Sequence, residues 1–162
     1  MPEEFIFRPI RPDDNAQVAA IIRSVMTEFG AVGEGFSIMD PEVDHMYEAY
    51  QGARAEMYVI EKAGKLLGCG GFGPLTGGEM HVCELKKMYF LPELRGLGFG
   101  KKLVKHSLEK ARKAGFTQCY LETLCSMKAA NSLYQKMGFQ PLDGPMGATG
   151  HGSCDSWYMV VL

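Results

Sequence analysis

The segment "LPELRGLGFGKK", Leu91 to Lys102, constrains the chain most, because Gly96, Gly98 and Gly100 stand at alternate positions where a strand hands over to a helix. Each ordered glycine loses more backbone entropy than alanine would, so the segment needs backbone that is bare, bent or closely approached. It is not a dinucleotide fingerprint, since Lys101 occupies the sixth position of the G-x-G-x-x-G frame. Nor is it a Walker A loop, because Arg95 stands at its first glycine and Lys102 at its hydroxyl residue. What remains is a string of free N–H groups at a helix start, with no Cβ in the way, beside Arg95, Lys101 and Lys102. Such a turn suits phosphates. The competing reading is a turn that only lets helix and sheet pack closely.

Periodicity on either side gives an alternating order of elements. "EFIFRPI" from Glu4 reads as a strand, and Asp13, Asp14 or Asn15 offers a cap to a helix striped by Val18, Ile21, Ile22, Val25, Met26 and Phe29. A glycine-rich loop at 30–40 follows, and Pro41 opens a second helix bearing Val43, Met46, Tyr47 and Tyr50. Strands at 55–62 and 65–73 flank a turn at Ala63-Gly64, and "MHVCELKKMYFL" is a longer strand entering the glycine segment. The helix carrying Leu103, Val104, Ser107, Leu108 and Ala111 stops at Gly115. Then come the strand "TQCYLETL", the helix "SMKAANSLYQKM" and the strands "FQPL" and "SWYMVVL". The expectation is a mixed α/β sheet of about seven strands with about four helices, in a single domain over residues 1–162.

Bulk properties exclude several classes. A formal net charge of -2 exerts no pull toward nucleic acid or anionic membrane, and no apolar run reaches the roughly 20 residues of a span. The N-terminus lacks the apolar core of a secretory signal, which points to a cytoplasmic protein. Cys69, Cys83, Cys119, Cys125 and Cys154 are odd in number and form no C-x-x-C pair, so reduced thiols are expected rather than a disulfide framework or a metal site.

"LPELRGLGFG" resembles the R/Q-x-x-G-x-G/A signature of the GNAT superfamily of acyl-CoA-dependent N-acetyltransferases. "SLYQKMGF" is similar to that family's A-x-x-L-Y-x-x-x-G-F stretch, with Ala130, Leu133, Tyr134, Gly138 and Phe139 in register. The resemblance spans residues 4–162 and implies a sheet splayed between its fourth and fifth strands, with acetyl-CoA in the gap. It implies that Arg95 and the amides of Gly96, Leu97, Gly98, Phe99, Gly100 and Lys101 cradle the pyrophosphate of coenzyme A. It also implies that the main chain of Met88, Tyr89 and Phe90 pairs with the pantetheine arm, the Met88 N–H facing the thioester carbonyl. Where many members carry a pantetheine-binding asparagine, this chain has Met127; Ser126, as a helix cap, and nearby Asn131 are the polar substitutes.

Acetyl transfer to an amine needs a base, an oxyanion donor and a proton for the leaving thiolate. The resemblance gives Tyr134 the last role; the competing reading is a core tyrosine. Two carboxylates compete as base: Glu84 on the fourth strand, slightly favoured, and Glu122 on the fifth. Each also reads as an ordinary salt-bridged or solvent-facing strand residue. Strand parity places Glu84 on one face with Lys86 and Met88. Burial in the cleft would raise either glutamate's pKa.

The acceptor would be a small amine or a peptide, bound by the loops "EFGAVGEGFSIMD" and "DGPMGATGHGSCDSW". Glu28, Glu34 and Asp155 are candidates to attract it, and His151 to contact it or move protons, though His151 also reads as a surface-loop histidine. No basic patch with interleaved aromatics calls for nucleic acid. Two other readings stand beside the enzyme: a non-catalytic acyl-CoA sensor, and a nucleotide-phosphate module outside the family. Domains of this type often pair, so a homodimer is an expectation without a specified surface.

Overall fold

The computed structural model describes residues 4–162. Strand β1 (Phe5–Pro9) leads into helix α1 (Asn15–Glu28), and the chain then crosses a loop to the short helix α2 (Met46–Ala49). Strands β2 (Glu56–Lys62), β3 (Lys65–Pro74) and β4 (Val82–Phe90) form a meander. Helix α3 (Phe99–Lys113), strand β5 (Gln118–Thr123), helix α4 (Lys128–Lys136) and strands β6 (Gln140–Leu142) and β7 (Ser156–Val161) complete the chain. The seven strands lie in one mixed sheet in the order β1-β2-β3-β4-β5-β7-β6, with β4 and β5 parallel. The fold class expected from the element order is what the structure shows.

The β2–β3 hairpin turns at Ala63 (φ 53) and Gly64 (φ 79), two left-handed residues whose twist matches that of the strands. Two apolar faces sandwich the sheet. On one, Val18, Ile21, Ile22, Val25 and Met26 of α1 pack with Met46, Met57, Val59, Leu66 and Cys69. On the other, Val104 and Ala111 of α3 and Tyr134 of α4 pack with Phe72, Cys83, Leu85, Leu121 and Phe139.

Local details depart from expectation where side chains find distant partners. Asp14 does not cap α1: its carboxylate accepts from the Arg8 guanidinium at 2.8 and 3.0 Å and from the Arg11 amide. Asn15 caps a neighbour instead, its carbonyl accepting from the Tyr47 N–H at 2.8 Å. The helix expected from Pro41 is broken at His45 into a 3₁₀ turn, Pro41–Asp44, and α2.

One irregularity governs the cleft. Lys87 in β4 has φ 55, and the β3–β4 register shifts between Cys69 and Gly71 opposite it. A β-bulge bends its strand and turns following side chains to the other face. Glu84 and Lys86 therefore lie on the α1 and α2 side, Lys86 reaching Glu42 and the Tyr50 ring, whereas Met88 packs among the α3 and α4 core. The expected common face for Glu84 and Met88 is corrected by this bulge. Already before the bulge β4 has left β5, which it pairs only at Val82, Cys83 and Glu84 among the described residues. Its outer edge is thus free for a ligand.

Glycines in β3 let the strands close on this bend. A Cβ at Gly71 would lie 2.0 Å from the Glu56 carbonyl oxygen, whereas one at Gly73 would make ordinary 3.6 Å contact with Ala55. Gly71→Ala should thus cost about 2–3 kcal/mol and lower Tm by roughly 4–12 °C in a calorimetric melt. Gly73→Ala should stay within about 1 kcal/mol of the parent.

Candidate active site

A groove of about 540 Å³ runs from the opened β4 edge to the start of α3. Its walls include Met88, Tyr89, Phe90, Arg95, Gly96, Gly98, Phe99, Gly100 and Lys101, with Ser126, Ala130 and Tyr134 opposite. Gly96 and Gly98 adopt φ 78 and 85, and no atom lies within 4 Å of where their Cβ would be. The backbone there is both left-handed and open to a ligand. Gly100 serves the competing purpose: its Cβ would meet Leu133 at 3.0 Å and Met88 at 3.4 Å, so its absence lets α3 pack against α4 and β4. The unsatisfied amides at the head of α3 and the free β4 edge fit an elongated ligand ending in phosphates.

Several expected contacts lie elsewhere. Arg95 donates its Nε to the Phe90 carbonyl at 3.0 Å and forks onto Glu28 at 2.7 and 2.8 Å. Glu28 is thereby placed beside this groove, paired with one of its wall residues. Lys102 projects over the Phe7 and Phe99 rings, and Leu97 is exposed outside the groove walls. Ser126 lines the groove but does not cap α4, whose cap position is Met127. Asn131 is committed internally: its amide donates to the Leu124 and Met127 carbonyls, and its oxygen accepts from Tyr158.

A smaller cavity of about 60 Å³ adjoins the groove, and both are walled by Met88, Tyr89, Met127, Ala130 and Tyr134. Tyr134 is buried at this junction, its hydroxyl 3.8 Å from the Met88 sulfur, and burial raises its pKa so that the phenol keeps its proton. The far wall carries charge. Glu84, Glu122 and His151 present atoms that all lie within 4.8 Å of one another. Such a set could also hold a cation, although both His151 nitrogens already face carboxylates. Its Nε2 lies 2.8 Å from Asp40, and its Nδ1 lies 3.4 Å from Glu122.

The two glutamates differ sharply. Glu122 accepts from Tyr120 and Thr149 and faces His151; burial pushes its pKa up, but these partners outweigh it and hold the carboxylate ionised. Glu84 is 4 % exposed and receives no hydrogen bond among the described residues. Burial pushes it up to about 7, Lys86 opposing and the neighbouring Glu122 adding to the rise. Burial lowers the pKa of His151, but Asp40 and Glu122 bring it up to about 9. Asp40 is raised by burial yet held below its usual range by His151 and Lys87, whose ammonium it meets.

Glu34 is exposed and meets the other loop through its carbonyl. Asp155 is spent on the Cys125 amide and thiol at 2.8 and 3.2 Å. Asp40 and Thr149 join the site from the two loops expected to bind the acceptor, though no motif marks them, and Lys87 and Tyr120 join it without any signal in the sequence. Asp40 and His151 stand 111 positions apart.

Residues 19–139 match the model of the Acetyltransferase (GNAT) family. The chain is 41% identical over 155 residues to the uncharacterized N-acetyltransferase YjgM of Escherichia coli (strain K12), covering 95% of this chain and 93% of that protein. It is 31% identical over 130 residues to an uncharacterized N-acetyltransferase of Schizosaccharomyces pombe, covering 80% of this chain and 78% of that one. An acetyltransferase of GNAT family from Staphylococcus aureus superposes with TM-score 0.83 at 17% identity, covering 98% of this chain and 99% of that one. The Salmonella typhimurium protein yncA, solved with its cofactor acetyl-CoA, superposes at 0.76 with 20% identity, covering 97% and 93%.

The burial of Glu84 has a stability consequence that does not depend on catalysis. Its folded pKa of about 7 lies above the usual 4.5, so folding favours the protonated form. That preference is fully present below pH 4.5 and is lost as pH rises through 7. Glu84→Gln should match the parent's stability near pH 4 and exceed it above pH 7, by about 3 kcal/mol, with a correspondingly higher Tm there. Melting curves across that range check this.

Proposed function

The chain belongs to the Acetyltransferase (GNAT) family, and from that premise we propose that it moves an acetyl group from acetyl-CoA to a primary amine by direct attack. The observation that carries this reading is Glu84, a buried carboxylate without hydrogen-bond partners among the described residues, on the wall of the cavity that adjoins the groove. Acetyl-CoA supplies an activated acyl carbon and a thiol leaving group. The chain must bind it, take a proton from the amine and return one to sulfur.

The groove supports binding. Phosphates are suited to the amides at Gly96, Gly98 and Gly100 and to Lys101, and the pantetheine amides to the edge of β4 at Met88, Tyr89 and Phe90. Arg95, held by Glu28, acts first as a brace between the end of β4 and α1, and meets phosphate only by sharing its guanidinium.

Glu84 is the base in this reading. An alkylammonium holds its proton at neutral pH, and a carboxylate poised near 7 is matched to removing it. Glu122 is a poor alternative, because three donors stabilise its anion. Tyr134 keeps its proton at the junction with the groove and can donate it to the departing thiolate. The Met88 N–H, on the free edge of β4, is suited to the oxyanion.

Thiol release from acetyl-CoA with an amine panel tests the reading. The parent should turn over at least one amine, with kcat/KM rising with pH through about 7. Glu84→Gln should lower kcat by about 10²–10⁴-fold and remove that limb, while Glu122→Gln should keep it. Tyr134→Phe should lower kcat with little change in the KM for acetyl-CoA. Gly98→Val should abolish the rise in Tm that acetyl-CoA gives the parent, because a Cβ would enter the open cradle. A parent that acetyl-CoA stabilises but that transfers to no amine would be a sensor rather than an enzyme.

A further inference from the structure

Two loops from distant parts of the chain roof the acceptor side of the cleft. One joins α1 to the 3₁₀ turn at Pro41, and the other joins β6 to β7. They are sewn together. Ser153 donates its N–H to the Gly35 carbonyl and its hydroxyl to the Glu34 carbonyl, each at 3.1 Å. His151 Nε2 meets Asp40 at 2.8 Å. The contact leaves no room for a side chain, since a Cβ on Gly35 would fall 2.4 Å from the Ser153 hydroxyl.

Each loop is also tied to the floor. Ser37 and Tyr89 share a hydroxyl–hydroxyl bond at 2.6 Å, and Lys87 meets Asp40. Thr149 and His151 hold the second loop to Glu122, and the Ala148 N–H reaches the Thr76 carbonyl at 2.7 Å. The cavity beneath measures about 60 Å³. A water-sized group occupies roughly 10–15 Å³ on this measure, so there is room for on the order of five such groups. The acetyl group itself takes a large share.

We propose that this chamber admits a compact free primary amine bearing a single positive charge, and that its sewn roof shuts out peptide N-termini and peptide lysines. The inference rests on the acetyltransferase reading above. A peptide acceptor continues beyond its amine as a chain that needs an edge or groove to lie in. That space is taken where Glu34 and Gly35 meet Ser153. Charge points the same way: Asp40 is answered by His151 and Lys87, Glu122 by His151, and Lys86 leans on Glu42. Glu84 is left as one free carboxylate for one ammonium, which does not suit a polycation.

The test is thiol release by the full-length protein with ethanolamine and propylamine, spermidine, a peptide with a free N-terminus and an N-blocked peptide containing lysine. The best short monoamine should exceed spermidine and both peptides in kcat/KM by at least about tenfold. A polyamine or peptide that matches or beats it overturns the proposal and leaves the acetyltransferase reading intact. No turnover with any acceptor, while acetyl-CoA still raises Tm, removes both. Gly35→Ala, which drives the loops apart, should raise the KM for the short amine and narrow its lead over the peptides, with the KM for acetyl-CoA unchanged. Ser153→Ala should do the same more mildly and serves if Gly35→Ala does not fold. Both variants discriminating like the parent would show that the roof does not select.

Discussion

The left-handed turn of the chain at Lys87 is the constraint on which the rest of the site depends. A non-glycine residue at φ 55 is disfavoured by about 1–2 kcal/mol, so it persists only where its surroundings hold it. Here the Lys87 carbonyl accepts from the Cys69 thiol at 3.1 Å, and its ammonium is buried against Asp40. The β4 edge is unpaired with β5 beyond Glu84 among the described residues, and the bend then turns Met88 toward Tyr134 on the α3 and α4 side. Glu84 and Lys86, before the bend, keep facing the loops. Glu84 and Tyr134 thereby line one cavity from opposite sides of the opened sheet, Tyr134 at its junction with the groove.

That geometry would be unstable without the charge arrangement behind it. Isolated buried charges are strongly disfavoured, and removing one member of a buried pair leaves the other uncompensated. Asp40 has His151 and Lys87 on either side, and Glu122 has His151, Thr149 and Tyr120. Each of these carboxylates is held ionised. Glu84 has no such set of donors and is pushed toward neutrality. Environments that separate the pKa values of neighbouring titratable groups are how one site assigns an anion and a base.

The legible part of the molecule was the part written in contiguous sequence. The glycines of "RGLGFG" mark an anion-suited turn because the requirement lies in local backbone, and the structure divides them by purpose: Gly96 and Gly98 for conformation, Gly100 for packing. Strand and helix order followed from periodicity for the same reason. Period-two counting failed across Lys87, because nothing in the side-chain pattern of "CELKKMYF" reveals a bulge set by glycines on the next strand and an aspartate on a distant loop. Asp14, Asn15, Asn131 and Asp155 all have side chains suited to capping or to ligands, and each is committed to a partner that the chain order does not disclose. His151 had the converse fate: read as a candidate among loop residues, it lies buried between two carboxylates.

The two halves of the cleft accordingly differ in how they tolerate change. The groove at the head of α3 is built from main-chain amides and absent side chains, so most substitutions nearby leave its donors in place, while a Cβ at Gly96 or Gly98 intrudes on them. The adjoining cavity is built from side chains on β4, β5 and two loops, bound into one network through His151 and Asp40. Members of such a network couple, so their substitutions do not add. Losing His151 would remove one countercharge from Asp40 and one from Glu122, and with them a cation that keeps Glu84 from rising further. On the acetyltransferase reading proposed above, changing the acceptor without losing the base therefore requires altering the roof at Gly35 and Ser153, where contacts are close but uncharged, rather than the ionic pillars beneath it.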